Sequence, residues 1–163
     1  MVTHRLETSI WLPRAPDEVF GFFADAGNLQ EITPGWLRFD LVTPLPIVMA
    51  AGTLLEYRIR LHGLPVRWRS EITVWDPPRA FVDEQRHGPY RAWRHLHTFS
   101  EESGGTRVGD RVDYAVPGGR LVHELFVKAD LRRIFHYRHH YLQRRFGAPA
   151  DDLPSIAITA VTR

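Results

Sequence analysis

Two histidines lie on one face of a predicted β-strand, between two large aromatic residues. In residues 93–99 (Trp-Arg-His-Leu-His-Thr-Phe) aromatic and β-branched side chains alternate with the period of two that a strand requires. Trp93, His95, His97 and Phe99 therefore share a face. A histidine between apolar groups can carry a proton, contact a ligand or bind a metal, and it can also be a core residue with satisfied hydrogen bonds.

The turn at residues 103–104 (Ser-Gly) sets the neighbours of these histidines on the following strand. Counting outward from it pairs His97 with Asp110 and Trp93 with Tyr114. Directly opposed residues have Cβ atoms about 4.5–5.5 Å apart, so His97 and Asp110 are predicted to share a hydrogen bond. A carboxylate that orients a histidine suits a general base. The sequence favours the alternative, two polar groups that satisfy each other, because no serine, cysteine or second acid is evidently placed to complete a reaction.

The neighbour of His95 depends on the turn at residues 87–90 (His-Gly-Pro-Tyr). A three-residue loop places Asp83 opposite His95 and Phe81 opposite His97, whereas a loop of two or four residues places Val82 there instead. For His95, a ligand contact or a place in a pocket wall is slightly favoured over exposure to solvent.

A long amphipathic helix is predicted over residues 121–146, where the apolar period changes to 3.6. Its stripe consists of Leu121, Leu125, Leu131, Phe135 and Leu142. Arg138 falls on this stripe, and a buried guanidinium without a partner is costly. It is predicted to meet a carboxylate, Asp110 or Glu84, or a polar group of a ligand. Extension past the helix edge to water is an equal alternative.

The remaining pattern predicts an antiparallel sheet that this helix covers. Strands are predicted at 4–12, 36–42, 53–61, 66–76, 80–86 and 106–116, with a helix from Pro16, a second short helix at 28–33 and a loop at 44–52. A four-residue loop at 62–65 would pair Ile59 with Trp68, Tyr57 with Ser70 and Leu55 with Ile72. The long helix is the only predicted element large enough to cover the apolar face of the sheet.

The predicted fold is therefore α+β. A curved antiparallel sheet of about seven strands wraps around a long C-terminal helix, with two short helices after the first strand, in a helix-grip arrangement. Residues 1–149 are expected to form one domain, and residues 150–163 a tail in which 156–161 could add an edge strand.

Composition narrows the classes of function. The 163 residues include no cysteine, which excludes disulfides, thiol nucleophiles and cysteine metal sites. With a formal charge of only +2, the sequence argues weakly for nucleic acid or an anionic membrane as a partner. The start is unlike a signal peptide, and no run of 18 apolar residues occurs, so a cytoplasmic protein without stable membrane insertion is expected. The protein is expected to be a monomer or a homodimer.

No metal or cofactor is predicted from the other motifs. His136, His139 and His140 lie on the arginine-rich helix without a glutamate between them, which indicates a solvated basic face. The arginines of the sheet's outer face are interleaved with acids and lack exposed aromatic platforms, so a solvated surface is preferred to a phosphate site. The glycine pairs 104–105 and 118–119 are turns rather than phosphate loops.

Several segments resemble the START-like (SRPBCC, polyketide cyclase/dehydrase) superfamily over about residues 4–146. They are residues 10–20 (Ile-Trp-Leu-Pro-Arg-Ala-Pro-Asp-Glu-Val-Phe), Trp68 and residues 77–84, 88–99, 105–114 and 135–138. Members of this superfamily include lipid and hormone carriers, aromatase/cyclases and many proteins without an assigned role; the subgroup this chain resembles is largely of the last kind. The resemblance implies a helix-grip fold but does not fix the function.

Three functions follow as hypotheses. The first is binding of a small hydrophobic or aromatic, lipid- or polyketide-like ligand between sheet and helix, with residues 45–49 as an entrance lid. The predicted lining is Tyr57, Ile59, Trp68, Trp93, His95, His97, Tyr114, Phe135 and Arg138. The alternative is a cyclase, dehydratase or isomerase in which His97, oriented by Asp110, removes a proton next to a carbonyl while Tyr114 or Arg138 steadies the oxyanion. A third, weaker hypothesis is a protein-interaction role for the basic outer face.

Overall fold

A single antiparallel sheet carries the architecture of the chain. The computed structural model describes residues 3–152 and 154–161. The strands are β1 (Thr3–Leu12), β2 (Asp40–Leu41), β3 (Leu54–Leu61), β4 (Leu64–Asp76), β5 (Ala80–His87), β6 (Ala92–Glu102), β7 (Gly105–Ala115) and β8 (Ala157–Val161), in the spatial order β2-β3-β4-β5-β6-β7-β1-β8. The strand predicted as optional near the C-terminus is present as β8, which pairs with β1 and brings the count to eight rather than about seven.

A short helix follows β1 and packs on the sheet. This helix, α1 (Pro16–Ala24), begins with a proline at its first position and carries Asp17 and Glu18 in its first turn, where they complement the positive end of the helix dipole. It buries Val19 and three phenylalanines. It thereby covers one end of the sheet with aromatic side chains.

The segment after α1 is less regular than predicted. In place of a helix at 28–33 and a strand at 36–42, there are two short 3₁₀ helices (Ala26–Leu29 and Gly35–Leu37) and the two-residue strand β2. The left-handed conformation of Arg38, with φ of 46°, explains the shortened strand, because an extended strand cannot include such a residue.

The β3–β4 hairpin has a tighter turn than predicted. His62 and Gly63, with φ of 49° and 81°, form a two-residue turn, and Tyr57 pairs with Trp68. The predicted pairings of Ile59 with Trp68, Tyr57 with Ser70 and Leu55 with Ile72 are therefore each wrong by two residues. Because side chains alternate with a period of two, this shift leaves each side chain on its predicted face.

The registers around β6 agree with the predictions. His97 lies opposite Asp110 and Trp93 opposite Tyr114 on β7. On the β5 side, His95 lies opposite Asp83, which is the alternative predicted for a three-residue loop.

The C-terminal helical region contains an irregular turn that the sequence does not reveal. It consists of α2 (Gly119–Val122), a π-helical turn (His123–Val127) and α3 (Lys128–Phe146). Leu121 and Leu125 are 70% and 61% exposed, so their predicted place on the buried stripe is wrong. A π turn inserts an extra residue and changes the phase of the stripe, so that His123 is buried there instead.

A polar layer divides the core between sheet and α3 into two apolar parts. One cluster includes Phe99, Val108 and Leu142, and the other includes Val112, Leu131, Phe135 and neighbours. The residues between them in sequence along β6, β7 and α3 are polar: His95, His97, Asp110 and Arg138, all buried. The described part of the chain contains no helix that is long and apolar enough to cross a membrane.

Candidate functional site

A mostly apolar cavity of about 180 Å³ lies between the sheet and α3. Strands β3 to β6 form one wall, and α1, the 3₁₀ segments and α3 form the other. For scale, an apolar cavity of about 150 Å³ can hold benzene. The space is therefore large enough for a ligand with at least one aromatic ring.

The cavity brings together nearly all of the residues predicted to line a pocket. Those that line it are Tyr57, Ile59, Trp68, Trp93, His95, His97, Phe135 and Arg138. Tyr114 is outside the lining: it is fully buried, and its hydroxyl lies 2.9 Å from Nε2 of His123 in the π turn. Burial also raises the pKa of Tyr114. The predicted use of Tyr114 at an oxyanion in the cavity therefore lacks the required geometry.

Two carboxylates flank the histidines of β6. Nε2 of His95 lies 2.7 Å from Oδ1 of Asp110, and Nε2 of His97 lies 2.8 Å from Oδ2 of Asp83. The remaining nitrogens are farther away: Nδ1 of His97 is 3.3 Å from Asp110 Oδ1, and Nδ1 of His95 is 3.8 Å from Asp83 Oδ2. The two imidazole rings stack with centroids 3.7 Å apart.

The predicted hydrogen bond between His97 and Asp110 is therefore not the short one. Asp110 is opposite His97 in the register, yet its closer partner is His95, two residues away on the same face. Long side chains reach such diagonal neighbours in an antiparallel pair. The short partner of His97 is Asp83, on the other adjacent strand.

Arg138 enters the same cluster from α3. It is 9% exposed, and its Nη2 lies 3.6 Å from Asp110 Oδ1 and 3.4 Å from His97 Nδ1. Asp110 is thus the carboxylate that Arg138 meets, whereas Glu84 forms ion pairs with Arg86 and Arg94. Within the described residues, Nε of Arg138 and Oδ2 of Asp110 are buried without a hydrogen-bond partner.

The electrostatics of the cluster keep both carboxyl groups ionised. Burial would raise the pKa of Asp110, but the charge of Arg138 and the hydrogen bonds from His95 and His97 hold this pKa well below its ordinary value. Burial acts in the same direction on Asp83, where the hydrogen bond from His97 and the nearby His95 outweigh it and lower the pKa. For His95, burial and the neighbouring His97 lower the pKa to about 4, so its imidazole is neutral near pH 7.

Some of the site was missed by sequence reasoning. Asp83 was only an alternative neighbour of His95, although it contacts both histidines. The irregular segment after α1 contributes Leu29, Ile32, Leu37 and Phe39 to the lining, and no periodic pattern marks these positions. Of the predicted lid, Met49 lines the cavity, while Leu45 and Val48 are exposed.

The histidines of α3 do not share one environment. His136 and His140 are exposed, as a solvated face requires, but His139 is buried and lies 3.4 Å from Oγ1 of Thr8. Burial lowers the pKa of His139 to about 4. The predicted solvated face is therefore wrong for His139. In the described chain, the side chains that could converge on a metal are Asp83, His95 and His97.

A comparison with models of known families identifies the family of this chain. The model of the family described as polyketide cyclase/dehydrase and lipid transport matches residues 12–137, which is more than half of the chain. The chain belongs to this family. No curated protein matches the sequence.

Solved structures show the same helix-grip fold. Protein Ms6760 from Mycobacterium smegmatis is 16% identical, with a TM-score of 0.65 over 88% of this chain and 91% of that one. Ginseng major latex-like protein 151 from Panax ginseng is 12% identical, with a TM-score of 0.66 over 90% and 99%. Mll3558 from Rhizobium loti is 18% identical, with a TM-score of 0.64 over 86% and 99%. The fold predicted from the sequence is thus confirmed.

Proposed function

We propose that the protein binds a small, largely apolar ligand that carries one or two polar groups. The observation that carries this proposal is the lining of the cavity, in which apolar residues surround one buried cluster that contains ionised side chains. Ligand sites commonly combine apolar walls, which supply affinity, with a few polar groups that set orientation. Membership in a family described by cyclase/dehydrase activity and lipid transport is consistent with such a ligand.

The aromatic part of the wall favours a ligand with a ring. The Trp68 ring meets Tyr90 and Trp93 edge-on, with centroids 5.5 Å and 5.4 Å away, and Tyr57 stacks on Trp68 at 5.7 Å. Aromatic groups prefer such offset and edge-on contacts with one another. An aromatic ring of the ligand can pack against these side chains in the same way.

Arg138 is the residue that we expect to orient the ligand. Its contacts with His97 and Asp110, at 3.4 Å and 3.6 Å, are long for hydrogen bonds, and a guanidinium has five N–H donors. The side chain lines the cavity and so retains capacity for a ligand oxygen. A carboxylate, enol or phenol attached to an apolar body fits this combination.

The test is a cavity-filling variant with a matched control on the same strand. Ile59→Trp places an indole in the cavity, whereas Leu54→Trp makes the same kind of change on the exposed face of β3. Native mass spectrometry and titration with naphthoic acid, its amide, and fatty acids measure binding. Ile59→Trp should weaken binding at least tenfold and Leu54→Trp should not. Equal affinities in the two variants, or no binding to the wild type, would overturn the proposal.

A second candidate, a cyclase, dehydratase or isomerase, is favoured by the position of His97. Its ring lies in the cavity wall, with Nε2 2.8 Å from Oδ2 of Asp83. The general base would therefore be His97 oriented by Asp83 rather than by Asp110. His97→Ala separates the two functions. In an enzyme it should lower turnover by roughly 10²–10⁴ while the substrate still binds. In a carrier it should change only the affinity, and only modestly.

A further inference from the structure

We propose that Asp83, His95 and His97 bind a divalent transition-metal ion at the wall of the cavity. All three side chains line the cavity, and their donor atoms lie within 4.8 Å of one another. The sequence predicts no metal, because the histidines with i, i+4 spacing lie on the arginine-rich helix and the neighbour of His95 on the preceding strand is left open. The site on β5 and β6 becomes visible only when the two strands are paired.

The donor atoms are spaced nearly as a coordination sphere requires. Asp83 Oδ2 lies 2.8 Å from Nε2 of His97 and 3.8 Å from Nδ1 of His95. Ligands bound at about 2.0–2.2 Å from an ion in tetrahedral or octahedral geometry are themselves roughly 3.0–3.4 Å apart. Small rotations of the side chains would therefore bring the three donors to an ion, without any change in strand register.

The other nitrogen of each imidazole points to one shared carboxylate. Asp110 Oδ1 lies 2.7 Å from Nε2 of His95 and 3.3 Å from Nδ1 of His97. Histidines that bind metals almost always donate their second N–H to a carboxylate, a carbonyl or water, which fixes the tautomer. With an ion bound, both N–H groups are directed at Asp110 and the free lone pairs face Asp83. In that state Nη2 of Arg138, which lies 3.4 Å from Nδ1 of His97, donates to Asp110 instead of to this nitrogen.

The charges around the cluster also accommodate a cation. Asp83 and Asp110 carry two negative charges. Arg138 carries one positive charge, 3.6 Å from Oδ1 of Asp110 and 3.4 Å from Nδ1 of His97, the nitrogen that does not face Asp83. With neutral imidazoles the cluster sums to one negative charge. A divalent ion reverses this sum to one positive charge, which an anionic group in the cavity can balance.

The ligand set indicates which ions to expect. Two imidazoles and one carboxylate suit Zn²⁺, Fe²⁺ or Co²⁺ better than Ca²⁺ or Mg²⁺, which prefer oxygen ligands. Three protein ligands leave a coordination position open, and the cavity is where an open position would point. The polar group of the ligand could occupy this position, and only this last step rests on the proposed function.

The competing arrangement has a proton instead of the ion, with Nε2–H of His97 donating to Asp83. Metal titration distinguishes the two. The full chain, stripped with a chelator, is titrated with Zn²⁺ by calorimetry and with Co²⁺ by absorption, and with Mg²⁺ for comparison. We expect one Zn²⁺ bound per chain, absorption bands typical of Co²⁺ with a low coordination number, and no comparable binding of Mg²⁺.

Variants locate the ion. Asp83→Asn preserves shape and removes the ligand charge, His97→Gln removes a nitrogen ligand, and His62→Ala removes an exposed histidine that lies 2.7 Å from Asp130. The first two should each weaken Zn²⁺ binding by more than about 100-fold, beyond the effect of losing a supporting residue. His62→Ala should bind as the wild type does. Circular dichroism confirms that each variant is folded.

The proposal is overturned if the wild type fails to bind one equivalent, or if folded Asp83→Asn or His97→Gln binds Zn²⁺ like the wild type. The naphthoic acid titration separates this result from the proposed function. A chain that binds naphthoic acid but no Zn²⁺ overturns the metal site alone. A chain that binds Zn²⁺ but no apolar ligand supports the metal site and contradicts the ligand pocket.

Discussion

The described chain holds two stacked pairs of buried histidines, and their surroundings are very different. His4 and His123 stack with centroids 3.5 Å apart and an interplanar angle of 7°, while His95 and His97 are 3.7 Å apart at 30°. Neither member of the first pair lines the cavity, and His123 contacts the hydroxyl of Tyr114. The second pair lies between two carboxylates in the cavity wall.

Stacking and burial alone do not identify a functional histidine. Burial lowers the pKa of His4, His123 and His95 alike. What separates the pairs is the convergence of Asp83 and Asp110 on one of them, and its contact with open space. We therefore expect a structural role for the first pair, whereas the proposed binding role concerns the second.

Loss of the carboxylate that the second pair shares should destabilise the fold more than any other change considered below. Asp110→Ala removes the buried carboxylate that His95, His97 and Arg138 contact. Leaving a buried charge without its partner costs about 3–5 kcal/mol of unfolding free energy. Denaturant unfolding at neutral pH measures the loss.

Asp113→Ala is the matched control on the same strand. Asp113 pairs with Arg5 at 2.6 Å, but both side chains are about a quarter exposed. Because both side chains keep contact with water, this pair is expected to contribute only about 1 kcal/mol. Similar losses in the two variants would mean that the polar layer is no more important than a surface ion pair.

The next effect concerns the first pair. His123→Phe leaves the buried hydroxyl of Tyr114 without its partner, which should cost about 1–3 kcal/mol of unfolding free energy. Adding Tyr114→Phe removes the unsatisfied group and should recover much of that loss, because no polar atom then remains unpaired. A double-mutant cycle by denaturant unfolding gives the coupling. Strictly additive losses would contradict the structural role of this pair.

The smallest effect is the pH dependence of stability. Since the folded pKa values of His4 and His123 are lowered, their imidazoles take up protons below pH ~6.5 in the unfolded chain before they do so in the fold. The contribution of these two histidines to the unfolding free energy is therefore fully present above that pH and is lost as the pH decreases. Each excluded proton adds a slope of up to about 1.4 kcal/mol per pH unit.

His4→Phe should reduce this slope, because phenylalanine preserves the stack and cannot titrate. Unfolding free energies measured between neutral and mildly acidic pH test this, with Leu54→Phe, an exposed change that removes no titratable group, as the control that keeps the wild-type slope. An unchanged slope in His4→Phe would assign the acid sensitivity to other buried groups, of which His95 and His139 are the first to consider.

The sequence predicts registers where a turn is short and its type is clear. Counting from Ser103-Gly104 correctly paired His97 with Asp110, because that turn has two residues and both have positive φ. The predicted β3–β4 turn is too long, because Pro65 is a residue type typical of loops and the predicted loop extends to it. In the fold, Pro65 pairs with Arg60 within the hairpin.

Other features depend on information that no local pattern contains. The π turn at His123–Val127 breaks the helical period, so the stripe extrapolated from α3 misplaces Leu121 and Leu125. The choice of Asp110 between His95 and His97 depends on side-chain rotamers rather than on register. Asp83 joins the site from a third strand, so its role requires two hairpin registers to be known together.

The polar layer across the core has a consequence for how substitutions combine. Phe99 and Leu142 belong to one apolar cluster, and Val112 and Phe135 to the other. Distant sites without shared partners have additive effects on stability, while residues in one cluster are coupled. Arg138 packs on a ring of each cluster, Phe23 at 5.3 Å and Phe135 at 5.7 Å, so substitutions on opposite sides of the layer should be coupled only through this layer.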